Sequence, residues 1–302
     1  MLLANASARA QPTALSGTVV DAVSGQPAPF AVVEIRTRHL GAQATEQGRF
    51  TLELPAGLTA FDSLKVSSLG FAPQVVAVPG ASPCRLALRP LAVALSEAVV
   101  RAATALPVLL GPTGAGNKFG FGGGAMLSAE QSSGWQVARQ FTDAPPGSIR
   151  AVRFYLKPNP HCGKASVKAP FRVRLYAADG PNGAPGTDLL TTSVISAAGK
   201  MGWHEVDLAA YQLAVPAGGF FVAMEWLFTK PEFGCDYGYI TASKEQKTGH
   251  AYGPNLGGYL NADQPAGWYL SAGYPWQVFR RVQDYANLGN QSAAIQAIIQ
   301  PN

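Results

Sequence analysis

The sequence predicts an all-β protein built as a small β-sandwich followed by a larger, jelly-roll-like β-sandwich. Three observations carry this. Apolar residues recur at period two in short segments, the mark of half-buried strands. The 302 residues include 33 Gly and 23 Pro, which punctuate those segments and leave little room for long helices. No stretch between residues 12 and 90 sustains a helical period.

Leu15 to Asp21 is rich in Thr and Val, which suits a pleated, half-buried surface. Ser24-Gly25-Gln26-Pro27 is turn chemistry, with Gly free to take positive φ and Pro fixing its own. Phe30 to Arg36 reads as a second strand, with Phe30, Val32 and Glu34 on one face and Val33 and Ile35 on the other. Gln47-Gly48 is a tight turn before Phe50, Leu52 and Leu54, which alternate. Val66, Phe71, Val75, Val76 and Val78 continue the pattern, interrupted by Gly70 and Pro73, and Leu86 and Leu88 close it.

These segments, GTVVDAVSGQPAPFAVVEI, TEQGRFTLELP, VSSLGFAPQVVAV and VALSEAVV, resemble in order the carboxypeptidase-regulatory-like domain of Bacteroidota envelope proteins. The resemblance covers about residues 15–101 and implies a transthyretin-like sandwich. In that family the domain is an accessory module that often precedes outer-membrane transporters. Its name implies no peptidase activity, and fold-level analogy supplies no reaction.

Composition bounds the class. Charged residues make up 14% and apolar ones 47%, a balance suited to a β-rich envelope protein. The net charge of +5 arises in both halves of the chain, which argues against a dedicated nucleic-acid protein. Ala8-Arg9-Ala10 before Gln11 looks like the end of a secretory signal peptide, so residues 1–10 read as a signal remnant and the protein as secreted or periplasmic. No apolar run reaches the ~20 residues that span a bilayer, so no transmembrane segment is expected.

The predicted organisation is a first sandwich over 12–101, a Gly-rich linker over 102–133, a second sandwich over 134–285 and a C-terminal tail over 286–302. The linker glycines lack the G-x-x-x-x-G-K-[ST] spacing of a phosphate loop. In the second sandwich Val152, Phe154 and Leu156 alternate with Arg153, Tyr155 and Lys157, and Phe171, Val173 and Leu175 alternate with Arg172, Arg174 and Tyr176. Phe220 to Phe228 is nearly continuously apolar and reads as a central strand. Ala286 to Ile299 reads as a short helix or a disordered tail. This half also resembles the C-terminal sandwich of uncharacterised Bacteroidota proteins, a resemblance that informs fold and habitat alone.

Cys162 and Cys235 sit beside Gly in loop-like sequence of one domain, so an oxidising compartment would favour their pairing; the alternative is that both stay reduced along with Cys84. His39, His161, His204 and His250 are scattered and form neither H-x-x-E nor H-E-x-x-H, and no G-x-S-x-G elbow occurs. Glu205 and Asp207 share a face beside His204, a pattern that also suits a solvated strand. Asp179, Asn182 and Asp188 match no calcium loop. The sequence therefore predicts no catalytic residue, no metal and no cofactor.

Two surfaces remain. Tyr252, Tyr259, Trp268, Tyr269, Tyr274 and Trp276 could offer flat rings to a sugar, with Asn255, Asn261 and Asp263 as polar partners; equally, they could plug the end of the sandwich. From Ile149 to Arg174 there are seven cations and no acid, and Arg153, Lys157, Arg172 and Arg174 could share an anion-binding face or simply a solubilising one. The expected function is a non-catalytic binding or assembly module of the cell envelope, with a cell-surface glycan as one partner. The alternatives are a docking partner of an outer-membrane transport complex and an accessory to an extracellular hydrolase.

Overall fold

Two hydrophobic cores divide the chain, one inside each of two stacked pairs of sheets. The structure is a computed structural model that describes residues 13–59, 61–91, 105–114, 119–125, 134–261, 265–279 and 290–302. The expected signal remnant at residues 1–10 lies outside the described residues.

The small unit has seven strands: β1 (Thr13–Asp21), β2 (Val32–Ile35), β3 (Leu40–Gln43), β4 (Arg49–Leu54), β5 (Ser63–Ser67), β6 (Gln74–Ala77) and β7 (Cys84–Leu88). They form a sheet in the order β4-β1-β7 against a sheet in the order β3-β2-β5-β6. Strand β1 runs antiparallel to β4 and parallel to β7. Alternation sends Leu15, Phe50, Leu52, Leu86 and Leu88 inward to meet Val33, Ile35, Leu64 and Val66. Each such side chain contributes roughly 1.5–3 kcal/mol by leaving water. Glu34 and Val32 face away from this core, as period two requires.

The large unit adds β8 (Val108–Leu110), β9 (Phe119–Ala125), β10 (Gln136–Phe141), β11 (Gly147–Lys157), β12 (Phe171–Ala177), β13 (Val194–Ser196), β14 (Gly202–Asp207), β15 (Leu213–Ala214) and β16 (Phe220–Trp226). It continues with β17 (Gly234–Ile240), β18 (Gln246–Asn261), β19 (Trp268–Leu270), β20 (Gln277–Val278), β21 (Asn290–Ala293) and β22 (Ile295–Pro301). One sheet runs β13-β12-β16-β10-β19-β20. The other runs β17-β18-β11-β22-β8, with β14 and β15 on β11, and β9 and β21 on β18. Strand β16 is buried along its whole length in the middle of its sheet, which is why its sequence does not alternate. Val152, Phe154 and Leu156 meet Phe171, Val173 and Leu175 across the sandwich.

Two expectations are corrected. Residues 108–110 and 119–125, expected in a linker, are strands of the large sheet: β8 pairs with β22, and β9 lies along β18. The glycines of β9 suit this packing, because a Cβ at Gly122 would fall 2.4 Å from the Asn255 Oδ1. The expected helix or tail near the C-terminus is instead β21 and β22, with Ile295, Ala297 and Ile299 buried in the core. Its Ala- and Ile-rich run suits period two as well as a helix, and pairing with β11 selects the strand.

Cys162 and Cys235 are bonded, with sulfurs 2.11 Å apart, and tie the loop after β11 to β17. Cys84 is a free thiol beside Gly17. Among the described residues no helix is long and apolar enough to cross a membrane.

Candidate binding face at the domain junction

The outer face of the six-stranded sheet holds a cluster of aromatic and charged side chains. Its floor is Ala138 of β10, Tyr176 of β12, and Phe221 and Ala223 of β16. Trp268 and Trp276 stand on that floor, both half-buried. The Trp268 ring meets Phe221 nearly at right angles, with centroids 5.9 Å apart. Trp276 meets Tyr176 in the same way at 5.4 Å. The two indoles share a face because Trp268 pairs across the hairpin with Val278, and Trp276 lies two residues before it.

Beside the indoles lies a charged cluster. Glu225 accepts from Arg172 at 3.3 Å and from Arg174 at 3.1 Å, and Arg174 makes a forked pair with Asp188 at 2.9 Å to each oxygen. Tyr176 donates its hydroxyl to Oε1 of the Gln136 side chain at 2.7 Å while its ring lies under the Arg174 guanidinium. Burial pushes the Asp188 carboxyl up, and the Arg174 cation opposes that. Burial likewise presses down on the Arg172 guanidinium, against the pull of Glu225.

The basic strip is thereby corrected. Arg153 and Lys157 belong to β11 in the nine-stranded sheet, whereas Arg172 and Arg174 belong to β12 in the other sheet, so no common face forms. Arg172 is buried, and Arg174 is engaged by two carboxylates. Arg153 pairs across the strands with Glu205 at 2.6 Å. The acids that neutralise these arginines, Asp188, Glu205 and Glu225, lie 14 to 53 residues away and outside 149–174, so the local run did not show them.

The aromatic group divides four ways. Trp268 and Trp276 stand on the outer face of the six-stranded sheet, and Tyr274, in the connection between them, is 39% exposed and stacked on His39 of the small unit at 4.4 Å. Tyr269 turns to the opposite side of its strand, against Phe279, and donates to Gln277 at 2.6 Å. Tyr252 is buried, and its hydroxyl accepts the Thr229 N–H at 2.8 Å, a structural plug. Tyr259, on β18 of the other sheet, donates its hydroxyl to the Gly114 carbonyl. Asn255 pairs with Lys157 on the other sheet, and the Asn261 backbone pairs with Asn290. Asp263 lies outside the described residues.

Two arrangements lie outside what the sequence pattern signals. Arg139 enters the sandwich interior and donates to Ser292 Oγ at 2.8 Å and to the Ala293 carbonyl at 3.1 Å, and burial pushes its pKa down to about 10. Ser196 Oγ lies 2.8 Å from His204 Nε2, joining the edge strand of one sheet to β14 of the other. The His204 ring meets the edge of Phe171, and burial lowers its pKa. Glu205 is taken by Arg153, and Asp207 accepts the Ala209 N–H. Asp179 accepts from the Thr187 amide and hydroxyl, which closes a turn. Among the described residues no group of His, Cys, Asp or Glu could hold a metal ion.

The small unit docks on this same face. Arg172 donates to the Pro29 carbonyl at 3.3 Å and lies over the Phe30 ring, and Gln43 donates to Glu225 at 2.8 Å. Glu34 accepts the Gly273 amide at 3.0 Å. Phe30 and His39 both hold left-handed backbone, with φ of 54° and 53°, where they touch the large unit.

No curated protein matches this chain. Among solved structures, the cysteine protease and lectin-like domains of Cwp84, a surface layer associated protein of Clostridium difficile, align at 15% identity and a TM-score of 0.34, covering 56% of this chain and 32% of that one. Clostridial Cwp84 after propeptide cleavage aligns at 13% identity and a TM-score of 0.39, covering 87% of this chain and 52% of that one. This chain thus spans about half, or less, of those proteins' lengths. Residues 14–89, which hold the seven-stranded small unit, match the carboxypeptidase regulatory-like domain family.

Proposed function

We propose that this protein is a non-catalytic binding module of the cell envelope and that its ligand is a carbohydrate held at the Trp268–Trp276 face. The observation that carries the reading is the pair of half-buried indoles set edge-on over Phe221 and Tyr176. Rings locked in this way present a fixed apolar surface with N–H donors, which suits the mixed faces of a pyranose. Asp188, with its side chain 36% exposed, offers a hydroxyl partner at the rim. The Cys162–Cys235 bridge supports an oxidising location, secreted or periplasmic.

A glycan array on the protein from Gln11, including acidic and lipopolysaccharide-derived sugars, tests this. Binding that disappears in Trp268→Ala or Trp276→Ala supports the reading. Binding that persists in both variants, or a blank array with folded protein, removes it.

A second reading is a docking partner of an outer-membrane complex. Strand β6 favours it: among the described residues it pairs only with β5, its Val75 is 66% exposed, and such an edge can accept a partner strand. A pull-down of envelope proteins lost on Val75→Lys, which puts a charge on the exposed side chain of that edge, would select this reading.

A further inference from the structure

Residues 271–276 join Trp268 of β19 to β20 and end on Trp276. Three consecutive residues of this connection rest on the small unit. Ala272 lies so close to Gly41 that a Cβ on that glycine would fall 2.5 Å from the alanine methyl. Gly273, at φ 81° and buried, donates its amide to Glu34 Oε2 at 3.0 Å, and its carbonyl lies 3.4 Å from His39 Nδ1. A Cβ at Gly273 would fall 2.7 Å from the backbone of His39 and Leu40, so the two chains touch directly. Tyr274 stacks on His39 with its ring only 12° from parallel. Glu34 is itself anchored, with Oε1 accepting from Lys65 at 3.1 Å.

We infer that Glu34 is a positioning residue for Trp276, so that the small domain forms half of the binding site rather than a spacer beside it. The inference rests on the reading of the Trp268–Trp276 face as the ligand surface. The chain of cause is short. Glu34 stands on β2 with its carboxylate turned out of the small core, fixed by a cation behind it. It holds the one amide at the apex of the connection. A buried N–H left without an acceptor is costly, so loss of the carboxylate forces the connection to move. Trp276, three residues on, then loses its fixed angle over Tyr176. Preorganisation of this kind lowers the ordering cost of binding.

The test uses the full chain labelled with 5-fluorotryptophan, with Trp276 assigned by Trp276→Phe and Trp226, buried in the large core, as the internal control. Fluorine spectra are recorded for Glu34→Ala and Glu34→Gln. The expected result is a shifted or broadened Trp276 signal in Glu34→Ala, an unmoved Trp226 signal, and recovery in Glu34→Gln, whose amide oxygen still accepts from Gly273. An unmoved Trp276 signal in Glu34→Ala overturns the inference, as does a shift that Glu34→Gln leaves uncorrected. If Glu34→Ala disturbs every tryptophan, His39→Ala decides, since it removes the stacked ring without stranding a buried amide: a Trp276 shift alone supports the inference, and none overturns it. No ligand enters these spectra. A blank glycan array with a coupled Trp276 therefore sinks the sugar reading alone, whereas sugar binding with an uncoupled Trp276 sinks the positioning role alone.

Discussion

The Arg172 guanidinium and the Glu225 carboxylate meet at 3.3 Å with side chains 2% and 0% exposed. They lie at the seam between the two units, where Glu225 also receives Gln43 from the small unit and Arg174 from its own sheet. A buried pair of this kind is a weak source of net stability, because desolvation offsets attraction. Breaking it is a different matter, since one partner is then stranded.

Glu225→Ala is therefore expected to lower stability by about 3–5 kcal/mol, because it leaves Arg172 and Arg174 facing each other without their shared anion. Urea unfolding followed by tryptophan emission measures this. A loss below roughly 1 kcal/mol would show that the seam is hydrated and open.

Arg153 and Glu205 give the contrasting case. Their side chains are 35% and 47% exposed on paired strands, so Glu205→Ala should cost about 0.2–1 kcal/mol in the same assay. The comparison sets a buried carboxylate shared by two arginines and a glutamine against an exposed one that faces a single arginine.

The Cys162–Cys235 bridge spans 73 residues of sequence. In the chain-entropy account, closing a loop of that size stabilises the fold by about 4 kcal/mol. The Cys162→Ser variant, compared with the oxidised protein by urea unfolding, should show a loss of that order. The result also tests whether the loop after β11 needs the bridge.

His204 gives a pH dependence with a definite sign. Burial holds its folded pKa below the ordinary histidine value, so the unfolded chain binds the proton more readily. The stability that neutral His204 supplies is complete above the ordinary value and is lost as pH falls through the folded one. The thermal midpoint should therefore drop on acidification from pH ~7 to ~5 by more in the native protein than in His204→Gln. Equal drops would remove His204 as the cause.

The sequence by itself determined what depends on neighbours along the chain. Period-two alternation placed Val33 and Ile35, Val152, Phe154 and Leu156, and Phe171, Val173 and Leu175 in their cores, because a strand's two faces are set by parity alone. The nearly continuous apolar run of β16, broken only by Glu225, signalled burial on both faces. The tertiary structure decided everything that depends on which strands meet. Arg172 looked solvent-facing because its alternation partners are core residues; it is buried because a second domain covers the outer face of its sheet. Strands β8, β9, β21 and β22 were hidden in glycine-rich or helix-compatible runs, and long-range pairing supplied what local pattern lacked. Within the aromatic group, sequence offered six equivalent rings. The hairpin register of β19 and β20 brought two of them onto one face, and the Glu34–Gly273 hydrogen bond, between residues remote in the chain, joined that face to the small domain.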